Sequence, residues 1–203
     1  MNINKGLKYL SSVDSKMNTL INTFPYPVFN SQESNFSSLV KYVIYQQLSG
    51  KAALSILNRY KALFFDNNYQ DPKKVISIDT SALELCGLSK QKISYIRNVA
   101  TFFIDSASNI DFCTYSNTQI REILIKIKGV GPWTINMFLM FNLKRPNIMP
   151  FTDLAIQKGF KEYYNLNTLP TITFMEEKSK LWEPFKTLAS IYLWYLVDNG
   201  FEW

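Results

Sequence analysis

Residues 125–134 read IKIKGVGPWT, and the order of residue types in that stretch sets the fold. Gly129 and Gly131 flank one apolar residue, Val130, between the end of one apolar-periodic segment and Pro132, a residue suited to the first position of a helix. Glycine admits positive φ and lets a neighbouring backbone come close. The opening amides of the second helix, with its dipole, make an anion site that needs no charged side chain. Two readings are open from these residues: a clamp on one phosphate, with Lys126 and Lys128 beside it, or an ordinary corner between two helices.

Outward from the hairpin, the chain reads as helix after helix. TQIREILIKI leads into it from a cap at Ser116 or Asn117, and PWTINMFLMFNL leads away from Pro132. Upstream, FSSLVKYVIYQQL (36–48) places Phe36, Leu39, Val40, Val43 and Ile44 on one stripe. KAALSILNRYKALF resumes after Ser49 and Gly50, Asp71-Pro72 opens a short helix, and SALELCGL ends at Gly87 as a C-cap. SKQKISYIRNVATFFI starts from Ser89 as N-cap. Downstream lie FTDLAIQKGFKEYY and EPFKTLASIYLWYLVDNG. No run alternates convincingly enough for a strand, so the expected class is all-α. Prolines concentrate in 23–35 and 141–152, which marks those segments as the internal boundaries.

Composition narrows the chemistry. The 203 residues contain no histidine, which removes Ser-His-Asp and Cys-His catalysis, histidine general bases and His-bearing metal sites. Two cysteines, Cys86 and Cys113, are too few for a four-cysteine zinc or iron–sulfur site and fit a reducing compartment. Lys and Arg number 22 against 16 Asp and Glu, a net charge of +6 that points weakly toward nucleic acid or an anionic membrane. MNINKGLKYLSSVDSK lacks the apolar core of a signal peptide, and no apolar run approaches the ~20 residues of a membrane span. The expected location is inside the cell, in cytoplasm, nucleoid or nucleus, with no membrane role.

GVGPWT (129–134) resembles the hairpin of the helix-hairpin-helix DNA glycosylase superfamily, and MFLMFNLKRPNIMPFTDLAIQKG (137–159) resembles the stretch that delivers its catalytic aspartate. YQQLSGKAA (45–53) is similar to the family's QQLS-type segment and GLSKQKISYIRNVA (87–100) to its damage-binding middle helices. WEPFKTLASIYLW (182–194) is similar to the C-terminal W-x-P-W-R-S…W stretch, with Phe185 and Lys186 as conservative replacements. The motifs occur in order along most of the chain. They resemble most the alkylpurine branch, 3-methyladenine DNA glycosylase II and its shorter relatives, without an extra N-terminal sheet domain.

The resemblance implies roles residue by residue. Asp153 matches the catalytic aspartate; as a helix N-cap it would lie near the positive end of a dipole, placed to stabilise an oxocarbenium-like sugar. Trp133 stands where family members that also cut the backbone carry a Schiff-base lysine, which implies a monofunctional enzyme. Trp133, Met137, Trp194 and Tyr45 are implied as an aromatic and apolar base pocket that favours a cationic alkylated purine; Met137 replaces a tyrosine of relatives and leaves the base preference open. Leu48 matches the wedge that fills the gap left by a flipped nucleotide, with Gln47 toward the orphaned strand. Lys128, Gly129, Val130, Gly131 and Thr134 are implied DNA contacts of the hairpin. Lys51, Lys90, Lys92 and Arg97 are candidate phosphate contacts or plain surface charges. Main-chain carbonyls of Ile125, Ile127 and Gly129 are implied ligands of a structural Na or K ion; no cofactor is required and no iron–sulfur cluster is expected.

The implied organisation is two helical lobes, 33–145 ending in the hairpin (126–134) and 1–32 with 146–203 carrying Asp153, with the active site in the cleft between them. The expected function is removal of alkylated purines such as 3-methyladenine and 7-methylguanine from double-stranded DNA by a monomer. The rivals are a glycosylase of the same superfamily for an oxidised or deaminated base, a non-catalytic damage-binding protein, and a helical scaffold with no DNA role.

Overall fold

The computed structural model describes residues 1–29, 33–65, 67–107 and 110–197, and every regular element among them is helical. The chain divides into two compact units, Met1–Asn30 with Lys144–Trp203, and Ser31–Leu143. The first unit opens with α1 (Ile3–Val13) and α2 (Ser15–Thr23). The second holds α3 (Asn35–Tyr45), α4 (Gly50–Lys61), α5 (Pro72–Ser77), α6 (Thr80–Leu85), α7 (Lys90–Asp105), α8 (Asn117–Leu124) and α9 (Pro132–Met137). The first unit resumes with α10 (Leu154–Tyr163), α11 (Ile172–Ser179) and α12 (Lys186–Val197). The last three residues of the helical stretch expected at 183–200 lie outside the described residues.

In the first unit one carboxylate fixes the corner between α1 and α2. Asp14 Oδ1 accepts from the amides of Lys16 and Met17, and Oδ2 accepts from Trp182 Nε1 at 2.9 Å. Trp182 is fully buried, with the Phe160 and Tyr163 rings 5.5 Å from it. Glycine allows close packing twice here. A Cβ on Gly6 of α1 would lie 2.4 Å from Leu188, and one on Gly159 of α10 would lie 2.7 Å from the Leu193 carbonyl oxygen of α12. The segment that enters α10 is strapped to α12. Thr187 Oγ1 donates to Arg145 O at 2.6 Å and accepts from Ile148 N at 3.1 Å, and Thr187 N donates to Pro146 O.

In the second unit α3 is buried almost all round. The expected stripe is inside, but so are Ser37, Ser38, Tyr42 and Tyr45. Ser38 is tolerated because its hydroxyl donates to Asn142 Oδ1 at 2.7 Å, and Asn142 in turn donates to Asn35 Oδ1 at 2.6 Å, so the polar groups satisfy one another. The punctuation read from the sequence is in place. Ser89 caps α7, Ser116 rather than Asn117 caps α8 in a reciprocal pair with Gln119, and Gly87 follows α6 at φ +92°. Past Met137, α9 continues as a π-helical turn over Phe138–Asn142, a feature frequent near functional sites.

Candidate functional site

The hairpin lies in the second unit between α8 and α9. Its two glycines are glycine for different reasons. Gly129 has φ +102°, and a Cβ there would stand 2.1 Å from Cγ of Tyr95 on α7, so backbone and packing both demand it. Gly131 is extended, and a Cβ there would meet nothing within 4 Å. The fold itself places no demand on that position. Val130 is buried and its amide donates to Ile127 O at 2.9 Å, which anchors the turn in the core. Lys126 and Lys128 are exposed, and the Lys128 carbonyl accepts from Asn98 Nδ2 at 3.0 Å. The first bond within α9, Ile135 N to Gly131 O, lies past Pro132, Trp133 and Thr134, so the helix opens with its positive dipole end at the turn.

The loop between α3 and α4 is tied to this hairpin. Gln46 Nε2 donates to Gly129 O and to the Thr134 hydroxyl, both at 2.8 Å. Thr134, an expected DNA contact, is buried with its hydroxyl engaged in that bond. Gln47 has φ +57°, a conformation rare for a residue with a side chain, and Leu48 beside it is 39% exposed. Of the expected pocket residues here, Trp133 is half-buried while Met137 and Tyr45 are buried. Lys92 and Arg97 are occupied within the unit. Lys92 Nζ donates to Ile44 O at 2.6 Å and Gln46 O at 2.9 Å, with burial lowering its pKa, and Arg97 donates to Ile78 O and Thr80. Lys51 and Lys90 are exposed.

Asp153 and Trp194 meet in the first unit. Asp153 caps α10, its Oδ1 accepting from Ile156 N at 2.8 Å and from Trp194 Nε1 at 3.0 Å. Its own amide donates to Pro150 O, and Gln157 Nε2 donates to Phe151 O, so the approach to the cap is fixed on both sides. Trp194 is 1% exposed. Trp194, expected as a base-pocket residue, stands against the aspartate as its hydrogen-bond donor. One participant, Gln46, is not among the residues singled out from the sequence. Its signal is the QQLS-like segment itself, where it stands beside Gln47, the glutamine the resemblance points to. The indole bond of Trp194 had no local signal.

Among the described residues no three His, Cys, Asp or Glu side chains come together as a metal site. The carbonyls of Ile125, Ile127 and Gly129 are hard oxygen donors of the kind a monovalent cation takes. Ile127 O accepts from Val130 N and Gly129 O from Gln46, which leaves each a second lone pair.

Residues 40–184 match the HhH-GPD superfamily of base excision DNA repair proteins. The chain is 31% identical over 198 residues to DNA-3-methyladenine glycosylase 1 of Schizosaccharomyces pombe, covering 95% of this chain and 86% of that protein. It is also 31% identical to the alkylbase DNA glycosidase-like protein mag2 of the same yeast, over 93% of this chain and 91% of that one. Among solved structures, the S. pombe 3-methyladenine DNA glycosylase Mag1 in complex with abasic DNA superposes with a TM-score of 0.88 at 30% identity, covering 98% of this chain and all of that one.

Proposed function

The chain belongs to the HhH-GPD superfamily of base excision DNA repair proteins, and on that premise we propose that it hydrolyses the N-glycosidic bond of alkylated purines in duplex DNA and stops at the abasic site. The observation that carries this reading is the Asp153 carboxylate, oriented on one oxygen by two N–H donors, one from its own helix and one from Trp194. Base removal begins with extrusion of the damaged nucleotide from the stack. The bond from C1′ to the purine nitrogen then breaks, its electron pair leaving with the base and positive charge spreading over the sugar. A fixed carboxylate stabilises that cation without histidine and orients the water, whose oxygen bonds to C1′ as its proton passes to the carboxylate and on to solvent. An alkylated ring already carries positive charge, which makes it the better leaving group and favours aromatic neighbours such as Trp133.

At the hairpin one phosphate is held without a charged side chain. At Gly131 the space a side chain would fill is open, and the dipole end of α9 faces the turn; both suit close approach of one phosphate. A monovalent cation on the carbonyls of Ile125, Ile127 and Gly129 would add positive charge beneath that phosphate; no bond-breaking step passes through it. Trp133 in place of a lysine supports hydrolysis without a Schiff base and hence without strand cleavage. Leu48, exposed at the tip of its loop, is the wedge. The protein acts as a monomer in a compartment that holds DNA, and no helix among the described residues is long and apolar enough to cross a membrane.

The test compares wild type with Asp153→Asn on methylated duplex DNA, with and without alkali. Asparagine caps a helix as well as aspartate, so the variant keeps the fold and loses the charge. Base release falls by ~10²-fold or more, the size expected for one preorganised electrostatic group. Strand breaks appear only after alkali. A wild-type enzyme that binds duplex DNA but releases no methylated purine overturns the lesion assignment.

A further inference from the structure

One face of α7 braces both DNA-directed elements of the second unit. Lys92, Tyr95 and Asn98 stand three residues apart, the spacing of neighbours on one helix face. Lys92 Nζ donates to the carbonyls of Ile44 and Gln46 at the C-terminal end of α3. The Tyr95 ring fills the space beside Gly129, and Asn98 Nδ2 holds the Lys128 carbonyl. Gln46 closes the circuit: its carbonyl is held by Lys92, and its amide donates to Gly129 O and Thr134 Oγ1. Gln47, the next residue, sits at φ +57°, and Leu48 projects into solvent. A non-glycine residue stays in that conformation only where its surroundings over-determine it, and here the constraint comes from Lys92 on one side and the hairpin on the other.

Resting on the reading of the hairpin as the phosphate grip and Leu48 as the wedge, we propose that Lys92 is a positioning residue that locks the loop of Gln46–Leu48 in register with the hairpin, so that gripping the backbone and driving Leu48 into the duplex occur as one movement. Lys92 touches no DNA in this scheme; it acts through Gln46. An ammonium on the last carbonyls of a helix is favourable by itself. The placement of that ammonium on α7 makes α3, the wedge loop and the hairpin share one support. A cap of purely local value could have come from α3 itself.

The experiment places 2-aminopurine next to a 7-methylguanine in a duplex and follows its fluorescence as the nucleotide leaves the stack. The proteins are wild type, Lys92→Met, Leu48→Ala and the double variant, with Gln46→Leu as a second cut in the same circuit should Lys92→Met fail to fold. Duplex Kd is measured beside it. Lys92→Met and Gln46→Leu keep duplex Kd within about 3-fold, because the hairpin amides remain, while the extrusion signal falls about 10-fold, the worth of one charge-assisted contact. Leu48→Ala shows the same loss, and the double variant loses no more than either single one. The proposal is overturned if Lys92→Met extrudes like wild type while Leu48→Ala does not, or if the two losses multiply. If wild type itself binds the duplex and gives no extrusion signal, the wedge reading fails, an outcome distinct from either.

Discussion

Substituting the hairpin's glycines one at a time separates what folding requires from what DNA requires. At Gly129 an alanine meets two penalties. The backbone sits at φ +102°, which costs an L residue about 1–3 kcal/mol, and the Cβ would lie 2.1, 2.4 and 2.5 Å from Cγ, Cδ1 and Cβ of Tyr95. Those atoms are the root of a side chain, not its flexible end, so relief requires a new rotamer for Tyr95 or a shift of α7; overpacking of this kind costs about 1–3 kcal/mol. Together they come to roughly 2–6 kcal/mol, and at about 2–4 °C per kcal/mol for a chain of this size Tm falls by roughly 5–20 °C. At Gly131 a serine meets nothing within 4 Å and is at least as good a helix N-cap, so Tm moves by little more than about 1–2 °C. Its side chain instead fills the space assigned to a phosphate. Loss of one charge-assisted contact, about 1.5–3 kcal/mol, raises duplex Kd roughly 10- to 150-fold. The slope of log K against log salt stays near the wild-type value, because neutral amides and not a side-chain cation hold that phosphate. Differential scanning calorimetry gives the first pair of numbers, and fluorescence anisotropy between about 50 and 200 mM salt gives the second. Wild-type affinity in Gly131→Ser would refute the phosphate assignment, and wild-type Tm in Gly129→Ala would refute the packing argument.

Other expectations follow from the first unit. Trp194→Phe removes the indole donor and keeps most of the ring, so kcat for base release falls about 10- to 100-fold with duplex Kd unchanged, as for a misaligned catalytic group; single-turnover kinetics beside anisotropy measures both. Burial raises the phenol of Tyr192 to about 12, so the folded state keeps a proton that the unfolded state releases from about pH 10. Its stabilisation is complete below pH 10 and is lost as pH rises toward 12, at up to about 1.4 kcal/mol per pH unit. Tyr192→Phe flattens that part of a Tm-against-pH curve, and an unchanged slope would show that other groups set alkaline unfolding.

Legibility in the sequence followed the range of the interaction. Serine caps, the Pro132 start and the glycine at the end of α6 are local rules, and each can be read within four residues of the position it governs. The hairpin could be located for the same reason. What Gly129 packs against was not legible, because Tyr95 lies one helix away and nothing in GVG names a partner. The burial of α3 exceeded its apolar stripe because Ser38 is satisfied by Asn142, 104 residues on. Asp153 was legible as a cap; its catalytic role is what the resemblance implies. The bond from Trp194, 41 residues away, was not legible.

One residue does record that long-range bond. Gly159 interrupts α10 with the poorest helix former short of proline, and the reason is the Leu193 carbonyl oxygen of α12, which would stand 2.7 Å from a Cβ there. Trp194 is the next residue of α12, and its reach to Asp153 at 3.0 Å depends on how closely α12 lies against α10. An alanine at 159 cannot be absorbed by turning a side chain, because the obstacle is backbone. α12 must retreat by about 0.7 Å to restore an ordinary contact, and a bond of 3.0 Å stretched by that amount leaves the range in which N–H···O is effective. Gly159→Ala should therefore copy Trp194→Phe in its kinetics: kcat lowered about 10- to 100-fold at unchanged duplex Kd. Alanine's better helix propensity offsets part of the overpacking, so Tm falls by no more than a few degrees. Because both changes break the same bond, the double variant loses little beyond the larger single loss. Multiplying losses in kcat would mean that Gly159 serves packing alone, and that the aspartate is held in place by its own helix without help from α12.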